Sequence, residues 1–449
     1  MSAQRHAERA FTAKLVALAA LALGLRLAYG FSLDEPSGDA AFYHAVANAL
    51  ADGEGYENPF LGVPTAAHPP LFPLLLSLVS LAGAESVHAH QATGCLLGAA
   101  AVVPLGLAGR RLAGAGAGLA AAGLATVYLP LLANDSLMMS ESAYGLVIAL
   151  TLLAGLRLAD EPTTGRALVL GLAIGAATLA RAEALLLLVL VAIPLALRAP
   201  ARARAVGFAL LGVVLVILPW SARNLTAFDS FVLVSTNDGS VLSGANCDAT
   251  YGANLGSWDL GCSIRAGAGG GSAALEQRAL DEALRNGRVS EATQARLLAG
   301  DGRNEARVAS RQRREGLEYA GDHLGELPKV IAARVARTWS LYRVREQVRV
   351  NGFFRGSPAW LEWATVASFA LVALLGGAGA VLVRPRRRLI VLLAPLVLVT
   401  LASATGFGTP RFRHAAEMAL VLLAGVALAH LLGRRGGQEP AAVQTVSSG

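Results

Sequence analysis

An all-α, polytopic membrane protein is the fold class this sequence predicts, and three observations carry it. Hydrophobic residues make up 54% of the 449 and charged residues only 15%, with a mean hydropathy of +0.52; a soluble domain carries far more charge. The apolar residues fall into runs near the roughly 17–25 residues that cross a bilayer as helix. Arginines cluster in the short segments between runs, where basic residues mark the cytoplasmic side.

Each span follows from that rule. Arg5, Arg9 and Lys14 place the N-terminus inside, and 15–33 exits as a retained helix with no signal-peptide cleavage pattern. The run 88–109 returns to Arg110-Arg111. Runs 115–133 and 142–158 then leave 134–141 outside and 160–166 inside. A single helix over 167–197 would strand Arg198, Arg202 and Arg204 outside, so this stretch is read as two short spans broken at Arg181-Ala182-Glu183. Run 206–220 exits, and 364–383, 389–404 and 415–432 complete the set, with 384–388 and Arg434-Arg435 inside. The count is about ten, with both termini cytoplasmic. It requires that 71–81, short and preceded by Pro69-Pro70, stay a juxtamembrane or re-entrant helix.

The domain organisation follows. Residues 1–223 form an N-terminal transmembrane core with a first outer loop at 34–87, and 360–432 hold the C-terminal spans. Between them, 224–359 is extracytoplasmic. Its Gly-, Asn-, Asp- and Ser-rich part, 224–272, reads as loop with short strands. Residues 273–344 read as charged helix, ending at 327–342 in an amphipathic helix on the membrane surface. The tail 433–449 is small, polar and expected to be disordered.

The net charge of +7 does not indicate nucleic acid, because the basic runs lack interleaved aromatics. Eight scattered histidines form no metal-ligand spacing; no cofactor is indicated, and a divalent metal stays open. Cys95 lies in a span as a packing residue. Cys247 and Cys262 share the outer loop; they are either two separate thiols or a bridge worth about 3 kcal/mol in an oxidising compartment.

The polar residues that stand out gather at the outer ends of the spans. Asp39 opens a stretch in which Phe42, Val46 and Leu50 recur on one helical face. Its carboxylate serves either as an N-cap or as a base. Glu141, at the head of a span, must face a cavity or a cation, or else sit beside Ser140 as a cap. Arg181 and Glu183 flank the break and can pair with each other. Arg411 and Arg413 stand outside against the positive-inside trend, which suits an anionic headgroup or phosphate, or ion pairs with outer-loop acids. His68 precedes Pro69-Pro70 in a turn. Arg26, inside the first span, is expected to snorkel outward.

In order along the chain, these pieces resemble the membrane-embedded C-type glycosyltransferases, specifically family 39, which holds protein mannosyltransferases and aminoarabinose transferases. The resemblance is carried by Gly38-Asp39 with Tyr43, His68-Pro69-Pro70-Leu71, Ser140-Glu141, Ala180-Arg181-Ala182-Glu183, Pro219-Trp220 with Arg223-Asn224, and Pro410-Arg411-Phe412-Arg413 with Glu417. It implies transfer of a sugar from a polyprenyl-phosphate donor to an acceptor hydroxyl on protein, lipid or envelope glycan, outside the plasma membrane. Asp39 and Glu141 would be catalytic. Tyr43, His68, Arg181, Glu183, Arg411 and Arg413 would hold substrate, and the partners would be the lipid-linked donor, membrane lipids and the acceptor. Two alternatives from other classes are a transporter or flippase for a lipid-linked sugar and a non-enzymatic envelope protein. The span middles are almost free of charge, which favours an enzyme working at the rim over a carrier with a midplane site.

Overall fold

In hydrocarbon, a backbone can satisfy its own polar groups only by coiling or by closing a barrel. Every run expected to cross is helical in the computed structural model, which describes residues 2–33, 38–268 and 304–435. The N-terminal part begins with α1 (Ser2–Gly30), the short α2 (Asp39–Ala51) and a two-stranded antiparallel pair, β1 (Glu57–Asn58) with β2 (Val63–Pro64). There follow α3 (Leu71–Leu81), α4 (Val87–Ala100), α5 (Val102–Val127), α6 (Leu129–Asp135), α7 (Glu141–Asp160) and α8 (Thr164–Ala180). A 3-10 turn (Ala182–Leu185) and a wide turn (Leu188–Ala192) lead into α9 (Ile193–Ala196) and then α10 (Arg202–Phe228). The polar region holds α11 (Asn237–Ala245), α12 (Asp248–Tyr251), α13 (Leu260–Ala268), α14 (Glu305–Asp322), α15 (Leu327–Thr338) and α16 (Val344–Arg355). Helices α17 (Ala359–Leu382), α18 (Arg388–Thr405) and α19 (His414–Arg435) close the chain.

Seven helical segments are long and apolar enough to cross a membrane. One of these, Val87–Val127, is not straight: the chain doubles back at Ala113 and at Gly114, whose φ of +85° only glycine adopts without strain. The two arms touch so closely that a Cβ on Gly118 would stand 2.5 Å from the Gly106 carbonyl oxygen. The shorter apolar stretches Thr164–Ala180 and Ala182–Ala196 form a further up-and-down pair, broken at Arg181, where the backbone is extended (φ −151°). Counted this way, the described chain runs between the two ends of the bundle ten times. Helix α3, with 11 residues, is too short to join them and packs on α2.

Helix α7 defines the two ends. Its 20 residues separate Glu141 from Asp160 by about 30 Å, the thickness of a hydrocarbon core. Around Asp160 gather Arg111 (Nε to Oδ2, 2.6 Å) and Arg388 (Nε to Oδ1, 2.8 Å), so this is the arginine end. Around Glu141 gather α2, the Arg181 break and the turn before α19.

Three expectations need correction. The stretch 224–272 holds no strand among its described residues; it folds as α11–α13, stapled by a Cys247–Cys262 disulfide with Cα atoms 6.4 Å apart. Buried Asn and Ser side chains bond carbonyls one turn back in these helices, as Asn246 does to Leu242 at 2.8 Å. The segment 327–342 is helical as far as Thr338 but does not rest arginines-out on a surface. Arg334 and Arg337 are buried: Arg334 donates to the Ala245 carbonyl (2.6 Å) and Asn246 (2.8 Å), and Arg337 pairs with Glu346 (2.5 Å). The amphipathic pattern is the same whether the polar face meets water or a polar domain. Arg26 does not snorkel either; fully buried, it pairs with Asp135 at 2.9 Å and donates to the Ala125 carbonyl. Of the expected tail, α19 continues through Arg435, and 436–449 lie outside the described residues, as do most of 273–304.

Helices α8 and α10 meet through small residues, as helices in lipid tend to. A Cβ on Gly171 would stand 2.1 Å from the Ala209 carbonyl oxygen, and one on Gly212 would stand 2.6 Å from that of Leu168. Gly171→Val should therefore force the pair apart and destabilise the protein by about 1–3 kcal/mol. Gly165→Val, at a position facing open space, should cost much less. Thermal unfolding of the two purified variants makes the comparison, and equal midpoints would mean that the glycine contact is not limiting.

Candidate active site

Asp39, Glu141 and Arg411 are far apart in sequence and meet at one point. Arg411 directs Nε at Glu141, and its two Nη groups each lie 3.2 Å from Asp39 Oδ2. Arg181 reaches the same Glu141 carboxylate (Nη1 to Oε1, 3.1 Å) while its Nε bonds Glu183 (2.7 Å). One buried carboxylate thus lies between two guanidinium groups, each with a further acid behind it. Glu141 is 1% exposed, whereas Asp39 is 38% and Arg411 35% exposed. The cluster therefore has a sealed side at Glu141 and an open side where Asp39 and Arg411 face out.

Local structure explains the geometry. Asp39 is the first residue of α2, and Gly38 (φ +58°) takes the cap position, so the carboxylate caps nothing and is free to reach Arg411. Ser140 likewise makes no side-chain cap at α7, leaving Glu141 to its arginines. On α2, Phe42 and Val46 are buried as the stripe requires, and buried Tyr43 shares their side of the helix. The Arg411 turn is held where Gly408 passes α15; a Cβ there would stand 2.2 Å from the Arg334 carbonyl oxygen. Phe412 then slides beneath Arg181, whose guanidinium lies 4.8 Å from its ring centre.

His68 completes the open side. Its Nε2 stands 3.8 Å from Asp39 Oδ1, and its Nδ1 is 3.2 Å from the Tyr43 hydroxyl. The segment carrying it is tied down from the polar region: Glu305 accepts from Thr65 Oγ1 (2.6 Å) and the Ala66 amide (2.9 Å), and Ser235 donates to the Ala67 carbonyl (2.8 Å). Burial pushes the His68 ring below the ordinary imidazole range, so it stays neutral near pH 7. The Tyr43 hydroxyl and His68 Nδ1 share one hydrogen bond; when Tyr43 donates it, the ring proton lies on Nε2, facing Asp39. Burial also raises the Tyr43 hydroxyl, so it stays protonated. For Asp39, burial alone would raise the carboxyl; the positive charge His68 carries when protonated and the Arg411 guanidinium outweigh it and hold the group below the usual carboxylate range.

Arg413 does not join the cluster. It is buried on the other side of the turn, pairs with Glu417 (2.7 Å), donates to Ser340 (2.6 Å) and stacks 3.6 Å from the Phe369 ring centre. Its contacts lock α17 and α15 to α19. Sequence reasoning gave no role to Asp135, which it placed just beyond a span, and quoted Phe412 only as part of the Pro410–Arg413 motif. Asp135 had a signal: Arg26 within an apolar run needs an acid as partner. Among the described residues, no group of three or more His, Cys, Asp or Glu side chains is placed to hold a metal ion.

The arrangement is a rim site at one end of a helical bundle, and the fold is that of the membrane-embedded C-type glycosyltransferases. The chain is similar to the oligosaccharyltransferase AglB from Archaeoglobus fulgidus in complex with an inhibitory peptide and a dolichol-phosphate (TM-score 0.52, 12% identity, covering 96% of this chain and 52% of that one). It is similar also to the apo form of the A. fulgidus oligosaccharyltransferase (TM-score 0.53, 13% identity, 96% and 52%). ArnT from Cupriavidus metallidurans, bound to undecaprenyl phosphate, aligns with a TM-score of 0.44 at 17% identity over 96% of this chain and 82% of its own. The chain thus spans about half the length of the archaeal enzyme. No family model matches the sequence, and no curated protein does.

Glu141→Gln removes the one charge both arginines share. Arg181 keeps Glu183 and Arg411 keeps Asp39, so the loss should be about 2–3 kcal/mol, at or below the low end for a broken buried pair. Asp39→Asn, at the open side, should cost under about 1 kcal/mol. Chemical denaturation of the two variants tests the ranking, and a reversed order would contradict the sealed-side assignment.

Proposed function

We propose that this protein transfers a sugar from a polyprenyl-phosphate donor to an acceptor hydroxyl on the outer face of the plasma membrane, in the manner of family 39. The observation that carries this reading is the convergence of an ionised, partly open carboxylate (Asp39) and a fixed guanidinium (Arg411) at the rim of a helical bundle. The C-type fold supports it, and the similar archaeal oligosaccharyltransferase was solved in complex with an inhibitory peptide and a dolichol-phosphate.

The chemistry divides between the two sides of the cluster. Donor phosphate takes the Nη edge of Arg411 that Asp39 occupies in the free protein, and Glu141 keeps the Nε edge so the guanidinium does not turn. Asp39, released, accepts the acceptor hydroxyl's proton while that oxygen bonds the anomeric carbon. The bond from that carbon to the phosphate oxygen breaks, and its electron pair stays on the polyprenyl phosphate. A positioned base contributes about 10²–10⁴ in rate, and cations aimed at the departing charge add about 10²–10³. Arg181, less exposed than Arg411, holds Glu141 in place. A groove of about 460 Å³ between α2, the β1–β2 pair, α3 and α10, lined by Leu50, Leu74 and Trp220 together with Glu57 and Arg223, offers a partly apolar path for the lipid.

Asparagine has the shape of aspartate but cannot accept the proton. Asp39→Asn should therefore fold, bind donor and lose at least about a hundredfold in transfer rate, measured with a polyprenyl-phosphate sugar. Near-normal transfer by this variant would end the assignment. Arg411→Ala should weaken donor binding more than Arg411→Lys, which keeps charge without the fork.

The outward-facing site makes a separate prediction of sidedness. Gly165 and Gly325 both face open space, so a cysteine fits at each. An impermeant thiol reagent applied to intact cells should label the Gly325→Cys protein and leave Gly165→Cys untouched. The opposite pattern would invert the proposed orientation.

A further inference from the structure

A second cavity lies at the arginine end, about 30 Å from the Asp39 cluster along α7. It has a volume of about 280 Å³ and lies between α5, α7 and α8, lined by Arg111, Arg157, Arg166, Ala154 and Val169. Its charges do not balance. Asp160 is shared by Arg111 and Arg388, and Glu161 pairs with Arg166 at 2.5 Å. Arg166 also donates to the carbonyls of Arg157 (3.0 Å) and Glu161 (3.2 Å), which fixes its direction at the mouth. The Arg157 guanidinium is exposed and has no partner among the described residues. Four guanidinium groups thus face two carboxylates, a surplus of two positive charges.

The rest of the wall is apolar. Ala154 lies one turn deeper on α7 and is buried, and Val169 is 51% exposed on the outer surface of α8. Polar chemistry at the bundle end therefore gives way to a lipid-facing apolar wall over one helical turn. A phospholipid presents surfaces that match this order: an anionic phosphate, then acyl chain. A free phosphate ion would use the arginines and leave the apolar wall unused.

We infer that the Arg111–Arg157–Arg166 pocket binds the phosphate of an anionic glycerophospholipid, with an acyl chain lying along Ala154 and Val169. Arg157 and Arg166 clamp the phosphate across the α7–α8 turn, and the bound lipid neutralises the surplus charge there. The site is separate from the proposed catalytic cluster, so its test does not depend on transfer activity.

The full-length protein, purified in detergent, is supplied with phosphatidylglycerol, phosphatidylcholine or inorganic phosphate at equal phosphate concentration. Bound lipid is counted by native mass spectrometry, and the thermal midpoint is recorded. Phosphatidylglycerol should be retained and should raise the midpoint; phosphatidylcholine and inorganic phosphate should do neither. The double variant Arg157→Gln/Arg166→Gln should retain about tenfold less phosphatidylglycerol or lower still. Arg198→Gln, an exposed arginine that follows α9, should retain it as the native protein does. Should the double variant misfold, Arg157→Gln alone decides, because it breaks no ion pair, and it too should lose retained lipid. Unchanged retention in the folded variant would overturn the assignment. So would equal stabilisation by inorganic phosphate, which would make this a free-anion site, or equal retention of phosphatidylcholine.

Discussion

A carboxylate sealed in a helical bundle must be neutralised where it stands, and Glu141 meets that demand with two arginines at once. Arg181 comes from the break between α8 and the following turn, and Arg411 from the turn before α19. The head of α7 is thereby fixed to two other parts of the bundle through a single side chain. The rest of the site is arranged around what those arginines have left to give. Arg181 turns its Nε to Glu183, and Arg411 turns its Nη edge to Asp39. Among the described residues, Glu141 is the buried group that holds Arg411 in position for an incoming phosphate.

The same logic recurs elsewhere, in two pairs that tie helices together. Arg26 and Asp135 tie α1 to α6, and Arg413 with Glu417 and Phe369 ties the last turn to α17. These pairs are sealed, whereas the Asp39 side is open. Burial separates a structural ion pair from a usable one. A dry pair satisfies itself, and only an arginine with an accessible edge can exchange one anion for another. At the opposite end of α7 the balance shifts again, with Arg157 left unpaired beside a wall that turns apolar.

The polar region between α10 and α17 acts on the site as a clamp. Glu305 and Ser235 hold the segment before His68, and Gly408 passes under α15 with no room for a side chain. His68 faces Asp39 Oδ1 and Arg411 faces Oδ2, so this region positions both neighbours of the open carboxylate. An amphipathic pattern alone could not reveal that function. The arginines of α15 read as surface residues, and only their carbonyl partners in α11 and the following loop show that they face inward.

Hydropathy determined the class of protein, the long apolar helices and the shortness of α3, because the bilayer imposes lengths that a one-dimensional pattern records directly. The break at Arg181 was legible for the same reason. Asp39, Glu141, Arg181 and Arg411 could be picked out individually, since a charge at the head of an apolar run must have a partner. Their partners were not legible. Whether Asp39 capped α2 or reached Arg411, whether Arg26 met water or Asp135, and which of Arg411 and Arg413 faced outward were decided only by tertiary structure. Each of those choices depends on which helix ends lie side by side, and contacts between residues hundreds of positions apart leave no periodicity in the chain.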